Sequence, residues 1–389
     1  MFSQNSIVGI VGSGAMGSGI AQVAATANHI VYVFDANNEA LQKAQTNLKI
    51  TLAKLVEKQK ITVEQQTSIF ENIKFVSEIN ELSSCNLIIE AIIENLAIKK
   101  TVFSNLEKIV STDCVLASNT SSLSITSISA ACAKPENVIG IHFFNPATLM
   151  PLVEIIPGIA TSPQVTQSCK ALVDSWNKVT VIVKDTPGFI VNRVARPFYS
   201  EALRIYEEGI ADIPTIDWAM KEIGGFKMGP FELMDLIGHD VNYVVTETVW
   251  TQFYYDPKFK PALSQKRLME AGFLGKKTGR GFYNYSETTS LPEPTKDIEL
   301  GTLIFKRILV MLINEAADTL YLKIASASDI DLAMTKGVNY PKGLLKWADD
   351  FGIPNVLKEL TALKDFYEED RYRISPLLKQ KFILAQKFY

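Results

Sequence analysis

Residues 7–25 read IVGIVGSGAMGSGIAQVAA, with Gly12, Gly14 and Gly17 spaced as Gly-x-Gly-x-x-Gly. On its own such a triplet is a weak signal. Its setting constrains the fold much more. The apolar run 7–11 predicts a buried strand, and helical periodicity follows from Gly12 to about Ala27. Residues 30–35, IVYVFD, predict a second strand that ends in Asp35. Strand, glycine turn, helix and second strand form a βαβ unit, which commits the N-terminal region to a parallel sheet.

Each glycine has its own job in such a turn. Gly12 permits the tight bend, Gly14 lets backbone approach a pyrophosphate, and Gly17 lets the helix pack closely on the sheet. Gly14, Ala15 and Met16 begin the helix, whose free N–H groups and positive end suit phosphate. Asp35 lies 18 residues beyond Gly17, where a carboxylate accepts hydrogen bonds from the adenosine ribose. It would repel a 2′-phosphate, and no arginine follows it. The expected cofactor is therefore NAD rather than NADP. FAD binding and a glycine turn without a ligand are the alternatives.

After this unit, strands (IKFV, NLIIEAI, CVLASN, VIGIHFF, VTVIVK) alternate with helices. The expected fold is a Rossmann-like α/β domain over 1–184, with a helical hairpin at about 39–70. A helical domain is expected over 185–287, closed by GKKTGRGFYNY. The polar segment 288–297 reads as a linker, and a further helical domain covers 298–389. That last domain repeats the one before it. Aligned without gaps from Ser200 on Asn314 to Gly238 on Gly352, 11 of 39 pairs are identical, among them Glu201/Glu315, Asp217/Asp331, Gly229/Gly343 and Asp235/Asp349. An ungapped register with matched glycines predicts duplicated all-α domains.

Composition narrows the class further. A net charge of −3 gives no electrostatic reason to expect nucleic acid or an anionic membrane as partner. Cys85, Cys114, Cys132 and Cys169 form no CxxC pair, so reduced buried thiols are expected and no metal site. No run reaches transmembrane length, and no basic leader precedes the first strand. A cytoplasmic protein is expected.

A hydride-transfer enzyme needs a base for the hydroxyl proton, and histidine suits that task. The chain has three histidines. His29 reads as a solvated turn residue and His239 as a surface or packing residue. His142 follows the strand VIGI, at the end of the sheet where α/β folds bind ligands. Glu154 lies 12 residues on, where a returning strand could pair its carboxylate with the imidazole. An edge-strand carboxylate is the other reading of Glu154.

GSGAMGSGIAQ, EAIIEN, SNTSS, IHFFNPATLMPLVEI, PGFIVNR and GKKTGRGFYNY together resemble the 3-hydroxyacyl-CoA dehydrogenase family, collinearly along the whole chain. The resemblance implies oxidation of a (3S)-3-hydroxyacyl-CoA, with His142 as general base and Glu154 as its partner. It implies that Ser121 and Asn192 contact the substrate, and that Ser121, Glu94, Lys99, Asn145 and Lys277 lie at the cofactor. By the same match, Thr51, Lys54 and Lys58 in the hairpin would face CoA, unless they are simply solvated surface residues. Two-copy members of this family imply 3-hydroxybutyryl-CoA or 3-hydroxyadipyl-CoA as substrates, in fatty-acid or phenylacetate breakdown. Single-copy members pair their helical domains between subunits. Here residues 301–389 are expected to pack on 185–285 within one chain, and a homodimer remains open. A dehydrogenase of free 3-hydroxy acids and a non-catalytic NAD sensor are the competing functions; retention of His142 and Glu154 argues against the sensor.

Overall fold

The computed structural model describes residues 2–286 and 292–389, so part of the expected linker lies outside the described residues. The chain divides into two compact units, Met1–Thr186 and Pro187–Tyr389. The first boundary falls two residues later than the sequence suggests. Asp185 explains this: its carboxylate accepts from the Ser124 hydroxyl and from the Ile125 and Thr126 N–H groups, all in the first unit.

The first unit is built on eight strands: β1 (Val8–Val11), β2 (Val31–Phe34), β3 (Ile73–Val76), β4 (Leu87–Glu90), β5 (Val115–Ser118), β6 (Val138–Phe143), β7 (Leu152–Pro157) and β8 (Val179–Ile182). Their order in the sheet is β3-β2-β1-β4-β5-β6-β7-β8. Strands β1 to β6 pair in parallel, and the order reverses beside β1. Such a reversal opens a crevice at the carboxyl ends of the strands. One departure from an all-parallel sheet is β7, which runs antiparallel to β6 and parallel to β8. Residues 144–151 are too few for a crossover helix, so the chain can only turn back.

Helices α1 (Ala15–Thr26), α2 (Asn38–Glu57), α3 (Val63–Asn72), α4 (Leu96–Ile109), α5 (Ile125–Ser129) and α6 (Pro163–Ser175) complete this unit. Ile10, Ile20, Val33, Ile89, Ile141 and Ile155 are fully buried or nearly so in one apolar core. In the hairpin, α2 rests on a single stripe, Leu41, Ala44, Leu48 and Leu52, and α3 buries Ile69 in the same core. His29 departs from expectation. It is buried, its Nδ1 lies 2.9 Å from the Ser6 carbonyl oxygen, and its ring meets Trp176 edge-on. An imidazole can satisfy one backbone group and still pack, which a turn position in the sequence does not reveal.

In the second unit, α7 (Val191–Val194), α8 (Arg196–Glu207), α9 (Ile213–Trp218), α10 (Pro230–Ile237), α11 (His239–Gln252) and α12 (Leu263–Glu270) form the first copy. The second copy has α13 (Ile298–Tyr321), which spans the counterparts of α7 and α8, then α14 (Ala327–Gly337), α15 (Leu344–Phe351), α16 (Ile353–Tyr367) and α17 (Pro376–Ile383). Matched residues do matched work. Asp217 accepts from the Phe231 and Glu232 N–H groups at 2.9 and 3.0 Å; Asp331 accepts from those of Leu345 and Lys346 at 2.8 and 2.9 Å. Each holds the start of α10 or α15. A Cβ on Gly229 or Gly343 would collide with that aspartate, which accounts for the paired glycines. Asp235 binds the N–H groups of Phe282 and Tyr283, and Asp349 binds those of Phe388 and Tyr389.

The two copies are joined by an exchange of buried ion pairs. Arg193 Nε reaches Glu315 Oε1 at 2.6 Å, and its counterpart Arg307 reaches Glu201 Oε2 at 3.1 Å. All four residues are buried. Each arginine thus takes its carboxylate from the opposite copy, as in a two-fold interface. His239 belongs to the packing: it is fully buried, with Nε2 at 2.8 Å from Asp235.

Candidate active site

The glycine turn joins β1 to α1. Gly12 has φ +104°, a conformation that favours glycine, and its N–H donates to the Phe34 carbonyl. A Cβ on Gly17 would lie 1.9 Å from the Gly12 oxygen. A Cβ on Gly14 would meet no protein atom within 4 Å. Nothing within the chain therefore requires glycine at that point. Asp35, just past β2, accepts from the Ser13 N–H at 2.7 Å, the Ser13 hydroxyl at 2.8 Å and the Asn37 N–H at 2.9 Å. Burial pushes its carboxyl up, but these three donors outweigh that and hold it below the usual range. It is an anion at neutral pH, in the place where a ribose would need an acceptor.

Gly17→Ala is expected to force Gly12 out of position. The cost should be about 1–3 kcal/mol, the usual range for overpacking, together with weaker NADH binding. Thermal unfolding with and without NADH checks this; an unchanged midpoint and unchanged affinity would refute the packing account.

Beyond β4, a chain of ionic contacts leads to Ser121. Glu90 is fully buried and accepts from Lys99 Nζ at 2.6 Å, the Ser118 hydroxyl at 2.8 Å and the Ile92 N–H at 2.7 Å. Lys99 also lies 3.3 Å from Glu94. Glu94 accepts from the Thr120 and Ser122 hydroxyls and from the Ser121 N–H. Burial works to raise the Glu94 carboxyl; Thr120, the Lys99 charge and Ser122 together keep it low. The Lys99 ammonium is buried against two carboxylates and is linked to the Ser121 loop through Glu94.

His142 lies near the end of β6 and pairs in register with Glu154 on β7. Directly paired residues of an antiparallel ladder project to the same face. His142 Nδ1 lies 2.7 Å from Glu154 Oε2, and both side chains are buried. With Nδ1–H donated to the carboxylate, the neutral ring carries its lone pair on Nε2. The segment around this pair is braced twice. Asn119 Oδ1 accepts from the Phe143 N–H at 2.8 Å. Lys178 Nζ donates to the Ala147 and Met150 carbonyls at 2.6 and 2.9 Å, which fixes the loop that carries the exposed Asn145.

Gly12, Gly14, Asp35, Glu94, Ser121 and His142 thus all lie at or just beyond the carboxyl ends of parallel strands. Thr51, Lys54 and Lys58 are exposed together on the outer face of α2, at its C-terminal end. Asn192 (in α7) and Lys277 belong to the second unit, where Lys277 is paired with Asp240. Glu90, Asn119, Asp185 and Lys178 were not anticipated. Of these only Glu90 left a signal, an acidic residue inside the apolar run LIIEAI. Burial pushes the thiols of Cys85, Cys114 and Cys132 up to about 12, away from reactive chemistry. Among the described residues, no helix is long and apolar enough to cross a membrane, and no group of three His, Cys, Asp or Glu could hold a metal.

Comparison with known proteins places this geometry. Residues 7–186 match the NAD binding domain of 3-hydroxyacyl-CoA dehydrogenase. Its C-terminal domain matches in two stretches, 188–285 and 303–387. The 3-hydroxyadipyl-CoA dehydrogenase of Escherichia coli (strain K12) is 36% identical, covering 98% of each chain. A probable 3-hydroxybutyryl-CoA dehydrogenase of Bacillus subtilis (strain 168) is 42% identical over 72% of this chain and 98% of its own. The crystal structure of 3-hydroxybutyryl-CoA dehydrogenase from Escherichia coli K12 superposes with a TM-score of 0.93 at 35% identity, covering 98% of each chain. The chain belongs to the 3-hydroxyacyl-CoA dehydrogenase family, as an NAD-dependent oxidoreductase acting on a CH–OH group.

Proposed function

We propose that the chain oxidises a (3S)-3-hydroxyacyl-CoA to the 3-oxoacyl-CoA, with His142 as general base. The observation that carries this reading is the buried contact between His142 Nδ1 and Glu154 at 2.7 Å. With Nδ1–H donated to Glu154, the tautomer is the one whose Nε2 lone pair would take the hydroxyl proton of a substrate. As His142 becomes cationic, Glu154 stabilises the charge it gains. Bound NAD would supply the hydride acceptor. Ser121 would hold the substrate oxygen, positioned by its own N–H on Glu94. Asn192 is proposed to orient the thioester, and Asn145 and Lys277 to contact the cofactor. Thr51, Lys54 and Lys58 would meet the CoA phosphates, since two lysines on one exposed face at a helix end make a local positive patch on an otherwise acidic chain.

Steady-state reduction by NADH tests the substrate class. Acetoacetyl-CoA and 3-oxoadipyl-CoA should both be reduced, and free acetoacetate at least about 100-fold less efficiently by kcat/KM, because the acid forgoes the charge-assisted contacts that a CoA phosphate makes. The ratio between the two esters sets the acyl preference, as relatives are named for each. If free acetoacetate served as well as its CoA ester, the chain would be a free hydroxy-acid dehydrogenase instead.

A further inference from the structure

The helical unit is built twice, and its copies differ in kind at a few matched positions. In the register that sets Arg193 on Arg307 and Gly238 on Gly352, Arg196 falls on Val310 and Thr246 on Leu360. Val310 and Leu360 are fully buried. The first copy puts a cation and a hydroxyl where the second has two aliphatic side chains. The second copy thus shows that this scaffold closes with apolar residues here. Its packing needs neither the arginine nor the threonine.

Arg196 is only 4% exposed, yet its charge has no counter-ion in the chain. The buried Arg193 and Arg307 each hold a glutamate. Arg196 has instead the Thr246 hydroxyl, which accepts from Nη1 at 2.9 Å, and the Tyr199 ring, 4.9 Å from its guanidinium carbon. Burial pushes the guanidinium pKa down, and only the Tyr199 and Tyr340 phenols act against this; no carboxylate does. Arginine stays protonated in proteins, and a buried cation is costly without an anion beside it. Nε is sealed from solvent without a partner, as is the Tyr340 hydroxyl, so neither can meet a ligand. Nη2 is neither sealed nor engaged, and it is the nitrogen left for an anion from outside. Asn192 stands one turn before Arg196. Ala195, between α7 and α8, holds right-handed helical backbone. Residues 192 and 196 therefore share a face, about 6 Å apart along the axis. Asn192 is half-buried and Arg196 buried, so the face runs inward from one to the other.

We propose that Arg196 sets acyl specificity, its Nη2 donating to the terminal carboxylate of a dicarboxylic acyl chain whose thioester lies at Asn192. This rests on the proposed acyl-CoA substrate and on the proposed place of Asn192 beside the thioester. The five C–C bonds of a six-carbon chain, about 1.5 Å each, cover the turn between the two residues. A terminal carboxylate balances the buried cation, and a terminal methyl group leaves it uncompensated.

Two esters of equal length test it: 3-oxoadipyl-CoA ends in a carboxylate and 3-oxohexanoyl-CoA in a methyl group. With NADH as reductant, the parent should favour 3-oxoadipyl-CoA at least about tenfold in kcat/KM, as a hydrogen bond to a charged group provides. In Arg196→Met that ratio should fall at least about tenfold, to parity or below. Arg196→Gln, polar but uncharged, should lose the preference too, and decides the matter if Arg196→Met fails to fold. An arginine with a purely structural role would lower both rates alike and leave the ratio unmoved. If the parent reduces neither ester, the proposed function has failed. Calorimetric titration of adipyl-CoA and hexanoyl-CoA then tests Arg196 without turnover, with the same tenfold preference expected in the parent and lost in the variants. A parent without the preference, or a ratio unchanged in the variants, would overturn the proposal.

Discussion

Replacing His142 with alanine is expected to lower turnover of acetoacetyl-CoA by about 10²–10⁴-fold, the usual contribution of a general acid or base. Affinity for NADH should stay within about twofold of the parent, a change under half a kcal/mol, because the glycine turn and Asp35 lie on other strands. Glu154→Gln should lose most of the same factor by a different route. Glutamine can still accept from Nδ1–H, but it gives no charge to balance an imidazolium. Stopped-flow measurement of NADH oxidation, with separate titration of NADH binding, checks both variants. If His142→Ala kept a rate within about tenfold of the parent, less than any general base supplies, the base would have to be sought elsewhere.

Glu315→Ala is expected to destabilise the second unit by about 3–5 kcal/mol. The change leaves Arg193 buried without its carboxylate. It also removes a charge 3.6 Å from Lys258. Replacing both members, Arg193→Met with Glu315→Met, should cost clearly less than the single change, since the penalty lies in the unpaired charge and not in the absence of a pair. Glu201→Ala should cost less than Glu315→Ala, because Arg307 keeps Glu208, which accepts from it at 2.7 and 3.0 Å. Chemical denaturation monitored by circular dichroism gives the three values. A single variant no less stable than the double one would mean that the exchanged pairs carry no structural load.

The parts of the fold that were legible in the sequence are those set by local constraint. Gly17 answers to Gly12, five residues back, so spacing alone carried its role. His142 and Glu154 were legible as a pair at hairpin distance, but their register depended on how residues 144–151 turn back. Lys99 shows the opposite case. Its charge is visible in the sequence while its burial is not, and burial beneath Glu90 and Glu94 changes what it can do. Lys178 and Asn119 were not legible, since they act on backbone atoms far along the chain. His29 looked like a turn residue because the sequence shows the turn and not Trp176 beneath it. In the helical unit, the matched Glu201 and Glu315 were plain in the alignment. That each pairs with the other copy's arginine follows only from three-dimensional packing.

The exchanged arginine–glutamate pairs have a consequence for how the molecule responds to dilution. Two separate chains joined through such a face would part as their concentration fell. Here both halves of the face lie on one polypeptide, a short connecting segment apart. Each half therefore meets the other at a fixed effective concentration, on the order of millimolar for two modules joined by a short connection. The helical unit should hold together equally well whether its cell makes many copies or very few.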